Sequence, residues 1–190
     1  MESAILSIRE ADVAVKTGNA RGFALIDVIF VCGLIGILCM IAMPRMLMAK
    51  QSAGAASAIG SLRAINSAQL TYAFTCGAGF YAPNLSTLGT APGGTQEAFI
   101  SPNLGVADSV TRGGYIITMS ATPFGGAPST CNGLDRGETG QGFKAGADPT
   151  DVTNGRFFAT NANVSIIEDT ASLFDDFPES GDSEEGHLLK

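Results

Sequence analysis

FALIDVIFVCGLIGILCMIAM, residues 23–43, decides how the rest of the chain is read. These 21 residues carry a single charge, Asp27, and as an α-helix would reach about 30 Å, the thickness of a bilayer's hydrocarbon core. A removable secretory signal has a shorter apolar stretch, followed by a small-residue cleavage motif. Here the small residue, Gly22, comes before the run and follows Arg21, while Pro44-Arg45-Met46 stands behind Met43. The segment is therefore expected to stay in the mature protein as a membrane helix.

Asp27 is the anomaly inside that helix. A carboxylate at the centre of a membrane helix costs about 2.5–3.5 kcal/mol on insertion scales and by default marks function. Cutting the chain after Gly22 would create an α-amino group on Phe23, one helical turn from Asp27. Amine and carboxylate could then neutralise each other, within one chain or between neighbouring chains.

Arg21-Gly22-Phe23 followed by Ala24-Leu25-Ile26-Asp27 resembles the processing signal of the type IV pilins and the related type II secretion pseudopilins. That signal is a Gly before a Phe, then an acid at the fifth mature residue. Ile35-Gly36-Ile37-Leu38 and Ile41-Ala42-Met43-Pro44 extend the likeness, with Pro44 at the twenty-second mature residue, where pilins carry a proline. Asp27 stands where the family carries Glu, which keeps the charge and shortens the side chain by one methylene. The resemblance implies cleavage between Gly22 and Phe23 by a prepilin peptidase and N-methylation of Phe23. It also implies roles in assembly for Asp27, Gly36 and Pro44. The implied partners are identical or related pilin subunits, an inner-membrane assembly platform, and membrane lipid before assembly.

The helix is expected to run on beyond the membrane. Residues 45–75 are rich in Ala, Ser, Leu and Gln with no internal Pro, and Ala55, Ile59, Leu62, Ile65 and Tyr72 fall on one broad face. From Phe23 to Thr75 a continuous helix would measure about 80 Å. Gly33, Gly36 and Pro44 weaken its middle, since Pro lacks a backbone donor and clashes with the preceding turn. Residues 61–72 also resemble the outer helix half of one group of bacterial pilin-like proteins, there followed by an aromatic loop such as Gly79-Phe80-Tyr81.

After Cys76 the texture changes to Gly, Pro, Ser, Thr and Asn, read as a long connection with one short helical turn. Three strands are predicted at 114–120, 156–160 and 164–168, with a tight turn at Asn161-Ala162-Asn163 and a further edge strand near Phe143. The predicted fold is α+β, with a long N-terminal transmembrane helix continuing into a small globular domain. In that domain a three- or four-stranded antiparallel sheet packs on the helix, an architecture that pilins share. The expected divisions are a cytoplasmic leader (1–22), a membrane and filament-core helix (23–43) and an outer helix half (44–75). A loop-and-sheet domain (76–177) and a flexible acidic tail (178–190) complete them.

Charge and cysteines narrow the function. The leader and residues 23–150 are each balanced in charge, whereas the last forty residues hold nine acids against two bases, so the whole net charge of −7 lies there. No basic stripe exists to follow a nucleic-acid backbone, and direct nucleic-acid binding is not expected. Cys32 and Cys39 read as small apolar packing residues of the membrane helix. Cys76 and Cys131 flank the loop region, and in an oxidising compartment a bridge between them would contribute about 4 kcal/mol on the chain-entropy model.

No catalytic constellation is expected from the residues. The only histidine, His187, lies in the acidic tail, so no Ser-His-Asp or Cys-His device is expected. The glycine pairs at 93–94, 113–114 and 125–126 lack the Gly-Lys-Ser/Thr ending of a phosphate loop. The chain is read as no enzyme and as needing no cofactor. Some type II secretion pseudopilins hold calcium in a C-terminal loop, which makes Asp148, Asp151 and Asp169 weak calcium candidates here. No EF-hand pattern supports them.

The expected function is a structural pilin subunit of a type IV pilus, held in the bacterial inner membrane as a single-pass protein with a periplasmic domain, then drawn into a filament. A type II secretion pseudopilin is the alternative. A membrane-tethered periplasmic binding module that never polymerises would leave the joint pattern of Gly22, Phe23, Asp27 and Pro44 unexplained.

Overall fold

The computed structural model describes residues 24–151, 153 and 155–189. Its first element is a single 51-residue helix, α1 (Leu25–Thr75), with Pro44 inside it. The chain divides at that proline into two units, Met1–Pro44 and Arg45–Lys190. In the first, every described side chain is exposed.

In the second unit the remainder of α1 forms one wall of a core. Ala55, Ala58, Leu62, Ile65 and Tyr72 are buried at spacings of three and four residues, the pattern of one helix face. Ile59, expected on that face, is partly buried against the same cluster. Two short helices follow, α2 (Leu85–Leu88) and α3 (Pro102–Gly105). The Asn84 side chain caps α2 by accepting from the Thr87 N–H.

The chain then builds an antiparallel sheet from β1 (Ser109–Arg112), β2 (Tyr115–Ser120), β3 (Lys144–Pro149), β4 (Phe157–Asn161), β5 (Ile166–Asp169) and β6 (His187–Leu188). The strands lie side by side in chain order. β2 alternates as a half-buried strand must, placing Tyr115, Ile117 and Met119 in the core with α1. β4 serves both faces. Phe158 joins the core under α1, and Thr160 meets the helix through Asn66, whereas Ala159 belongs to a second cluster with Ile167, Leu173 and Phe177.

Between β1 and β2 the chain turns on Gly113 and Gly114, both left-handed (φ +60° and +83°), as a two-residue hairpin turn requires. This turn touches α1. A Cβ on Gly54 would stand 2.5 Å from the Gly113 carbonyl oxygen, so the helix can approach only where it has no side chain.

Three expectations need correction. The sheet has six strands among the described residues, not three or four. The strand near Phe143 is β3, which lies between β2 and β4 and not at an edge. It is internal because its backbone pairs on both edges, and its small Ala145 and Ala147 join the core with α1. The acidic tail is not loose over residues 178–189. Asn161 Nδ2 donates to the carbonyls of Pro178 (3.0 Å) and Gly181 (2.9 Å), the Glu179 carbonyl accepts from Phe143 and Ala162, and β6 pairs with β5. These bonds offset the self-repulsion that its charge suggested.

Candidate functional site

The first unit presents the chemistry that most needs an explanation. From Leu25 to Met43, thirteen large apolar side chains stand exposed, with Met40 at 79% and Leu25 at 76%. Covering an exposed side chain of this size gains roughly 1.5–3 kcal/mol, so leaving this surface in water would cost tens of kcal/mol. The helix is long and apolar enough to cross a membrane. A helix also bonds its own backbone groups, the condition for lying in hydrocarbon.

The predicted residues within it are placed as follows. Gly22 and Phe23 lie outside the described residues, and so does the amine that cleavage would create. Asp27 is exposed in the first turn of α1, where the partial positive charge of the helix end favours a carboxylate. Gly36 has no atom within 4 Å of the point where a Cβ would be, so its surface is open to close approach by another helix. Pro44 sits within the helix and withholds a backbone donor from the Met40 carbonyl. Cys32 and Cys39 are exposed free thiols on the same apolar surface.

In the second unit Cys76 and Cys131 form a disulfide, with their Cα atoms 5.0 Å apart. The bridge joins the end of α1 to the residues beyond β2, enclosing α2, α3, β1 and β2 in one covalent loop. It points to an oxidising compartment for this unit. Hydrogen bonds reinforce it. Asn132 Nδ2 donates to the Thr87 carbonyl (3.0 Å), and Thr130 Oγ1 donates to Asn132 Oδ1 (2.7 Å).

Two buried amide side chains on α1 were not anticipated from sequence patterning. Gln69 is fully buried, and its amide bonds both backbone groups of Ala82, donating to the carbonyl (2.9 Å) and accepting from the N–H (2.9 Å). Asn66 donates to Thr160 Oγ1 (2.9 Å), which in turn donates to the Ser165 carbonyl (2.9 Å). Both amides couple the helix to segments distant in sequence. A polar residue on an apolar helix face was the only available signal.

The three calcium candidates are not brought together. Asp148 accepts from Ser172 Oγ (2.7 Å), Asp151 from the Thr153 hydroxyl (2.7 Å), and Asp169 from the Thr170 N–H. Among the described residues no group of three or more His, Cys, Asp or Glu side chains converges on a cation site. His187 pairs in register with Glu168, whose carboxylate is already held by Arg156 (Nε to Oε1 2.5 Å).

Comparison with protein-family models, with curated proteins and with solved structures gives no match to this chain.

Proposed function

We propose that this chain is a structural subunit of a type IV pilus-like filament, made as a precursor that a prepilin peptidase cuts between Gly22 and Phe23. The observation that carries this reading is the exposed apolar helix, which bears one carboxylate, Asp27, in its first turn. The offsets of Gly22, Phe23, Asp27 and Pro44 in the sequence support it further.

The subunit would be stored in the bacterial inner membrane with its disulfide-closed domain in the periplasm. Assembly then moves the helix from lipid into a bundle of identical helices, exchanging one apolar environment for another. Because that exchange is nearly neutral in hydrophobic free energy, registration needs a polar device. Asp27 supplies it by meeting the Phe23 amine of a neighbour, and a wrong stagger leaves the carboxylate buried without a partner.

Mass spectrometry of the mature protein should show a chain beginning at Phe23, with a methylated amine. An intact leader in cells with an active peptidase would end this reading. Asp27→Ala should lower filament yield in sheared surface fractions on the order of ten-fold or more while membrane insertion is unchanged. Undiminished filaments would remove Asp27 from registration.

A further inference from the structure

Where α1 enters the second unit, a cleft of about 170 Å³ lies against the turn between β1 and β2. Leu47, Lys50, Gln51, Thr150 and Asp151 line it, around the contact of Gly54 with Gly113. The missing side chains at these glycines let the turn close on the helix and form one wall of the cleft. Leu47 is exposed at its rim, and its chain neighbours Met46 and Met48 are exposed as well, an apolar collar around the helix in a unit whose other large apolar residues are mostly buried.

The cleft carries one charge of each sign. Among the described residues the ion pair is Arg156–Glu168, so Lys50 and Asp151 line the same cleft without closing on each other. The Asp151 carboxyl is held below the usual carboxylate range by hydrogen bonds from the Thr153 side chain and then its backbone, and stays charged at neutral pH. A ligand that fits must bring an anion to Lys50 and a cation with N–H donors to Asp151, a short distance apart, with an apolar tail for the collar.

We propose that this cleft binds the headgroup of phosphatidylethanolamine, with the phosphate on Lys50, the ammonium on Asp151 and the acyl chains along Leu47. The headgroup carries an anion and an N–H-donating cation on one short linker, the two charges that the cleft lining complements. Phosphatidylcholine fits less well, because its methylated nitrogen has no N–H to donate to a carboxylate. Phosphatidylglycerol fits less well again, because it brings an anion to Asp151 with no cation to offset it. The inference rests on the reading of α1 as a membrane helix, and it gives the stored subunit a preferred lipid contact.

The test uses the full chain in nanodiscs containing equal amounts of the three lipids, followed by native mass spectrometry of the lipids it retains. Phosphatidylethanolamine should be retained about five-fold over phosphatidylcholine, the factor that one exposed charge-assisted hydrogen bond supplies. Asp151→Asn should bring those two lipids to parity. Lys50→Gln should lower retention of both, and Lys50→Arg should restore it. Equal retention by the unaltered chain, or a preference for phosphatidylglycerol, overturns the proposal while leaving the membrane reading intact. Binding of soluble phosphoethanolamine as tightly as the lipid overturns the lipid assignment. Failure of the chain to enter nanodiscs at all overturns the membrane reading, and this proposal with it.

Discussion

Leu38 and Leu62 lie on the same helix, yet Leu38 is 65% exposed and Leu62 is 0% exposed. Their neighbours make the contrast sharper. Around Leu38 the exposed residues are Ile, Leu, Met and Phe, while around Leu62 the buried ones include Ala58, Ser61, Asn66 and Gln69. Large apolar groups face outward in one half of α1, whereas in the other Leu62, Ile65 and Tyr72 face inward together with small and hydrogen-bonded polar residues. The outer half obeys ordinary packing, with each buried amide satisfied by a named partner. The first half is long and apolar enough to cross a membrane, the setting in which large apolar side chains belong on a helix surface.

Perturbations confined to one half should leave the other untouched. The largest effect is expected at the disulfide. Replacing Cys131 by Ser opens a loop whose ends are 55 residues apart, and should lower the unfolding free energy of the second unit by about 4 kcal/mol. Denaturant titration in nanodiscs measures this, and membrane partitioning should not change. Leu62→Ala comes next, at about 3 kcal/mol, because the cavity opens in a core closed by Tyr115, Ile117 and Phe158. Leu38→Ala removes the same atoms from a surface that has no protein contacts to lose, and should change the midpoint of that unfolding by less than about 0.5 kcal/mol. Equal losses from the two leucines would break the comparison.

How much of this could be read beforehand follows from where each signal resides. The helix, β2, β4 and β5 announce themselves through local periodicity and β-branched or aromatic runs, and the disulfide through the placement of two cysteines around a loop. β3 does not, because KAGADP has no large residue. Its burial is conferred by α1 on one face and on the other by Phe174, whose ring carbons would lie 3.0 Å from a Cβ on Gly146. The edge strands β1 and β6 are short and almost wholly exposed, so they have no apolar pattern to read. Acidic composition concealed the docking of residues 178–189, which depends on hydrogen bonds from Asn161 and Thr122 that no local window contains. For the candidate site, Asp27, Gly36 and Pro44 enter the proposed function from the sequence because their spacing lies within one segment. The cleft at Lys50 was not legible there, because Asp151 reaches it from about a hundred residues away.

The smallest effect tests whether the second unit behaves as a water-solvated domain even at its exposed margin. There Glu168 on β5 is held by Arg156, just before β4, and faces His187 on β6. The hydrogen bond from Arg156 pulls the Glu168 carboxyl below its ordinary value of 4.5 and outweighs the upward push of partial burial, with smaller contributions from the charges of Arg156 and His187. A carboxylate depressed on folding adds stability above its unfolded pKa and loses it as pH falls through the folded value. The contribution is therefore complete at pH 7 and is lost progressively as pH falls from about 4.5 through the lower folded value. Arg156 is 43% exposed and Glu168 17%, so solvent screening holds the contribution under about 1 kcal/mol. Glu168→Gln should destabilise the unit by that amount at pH 7 and by progressively less as pH falls below about 4.5. Added salt should shrink the difference at pH 7, because an exposed pair is screened. A difference that stayed constant across pH would instead mean that Glu168 acts through packing, and that this margin belongs to the core.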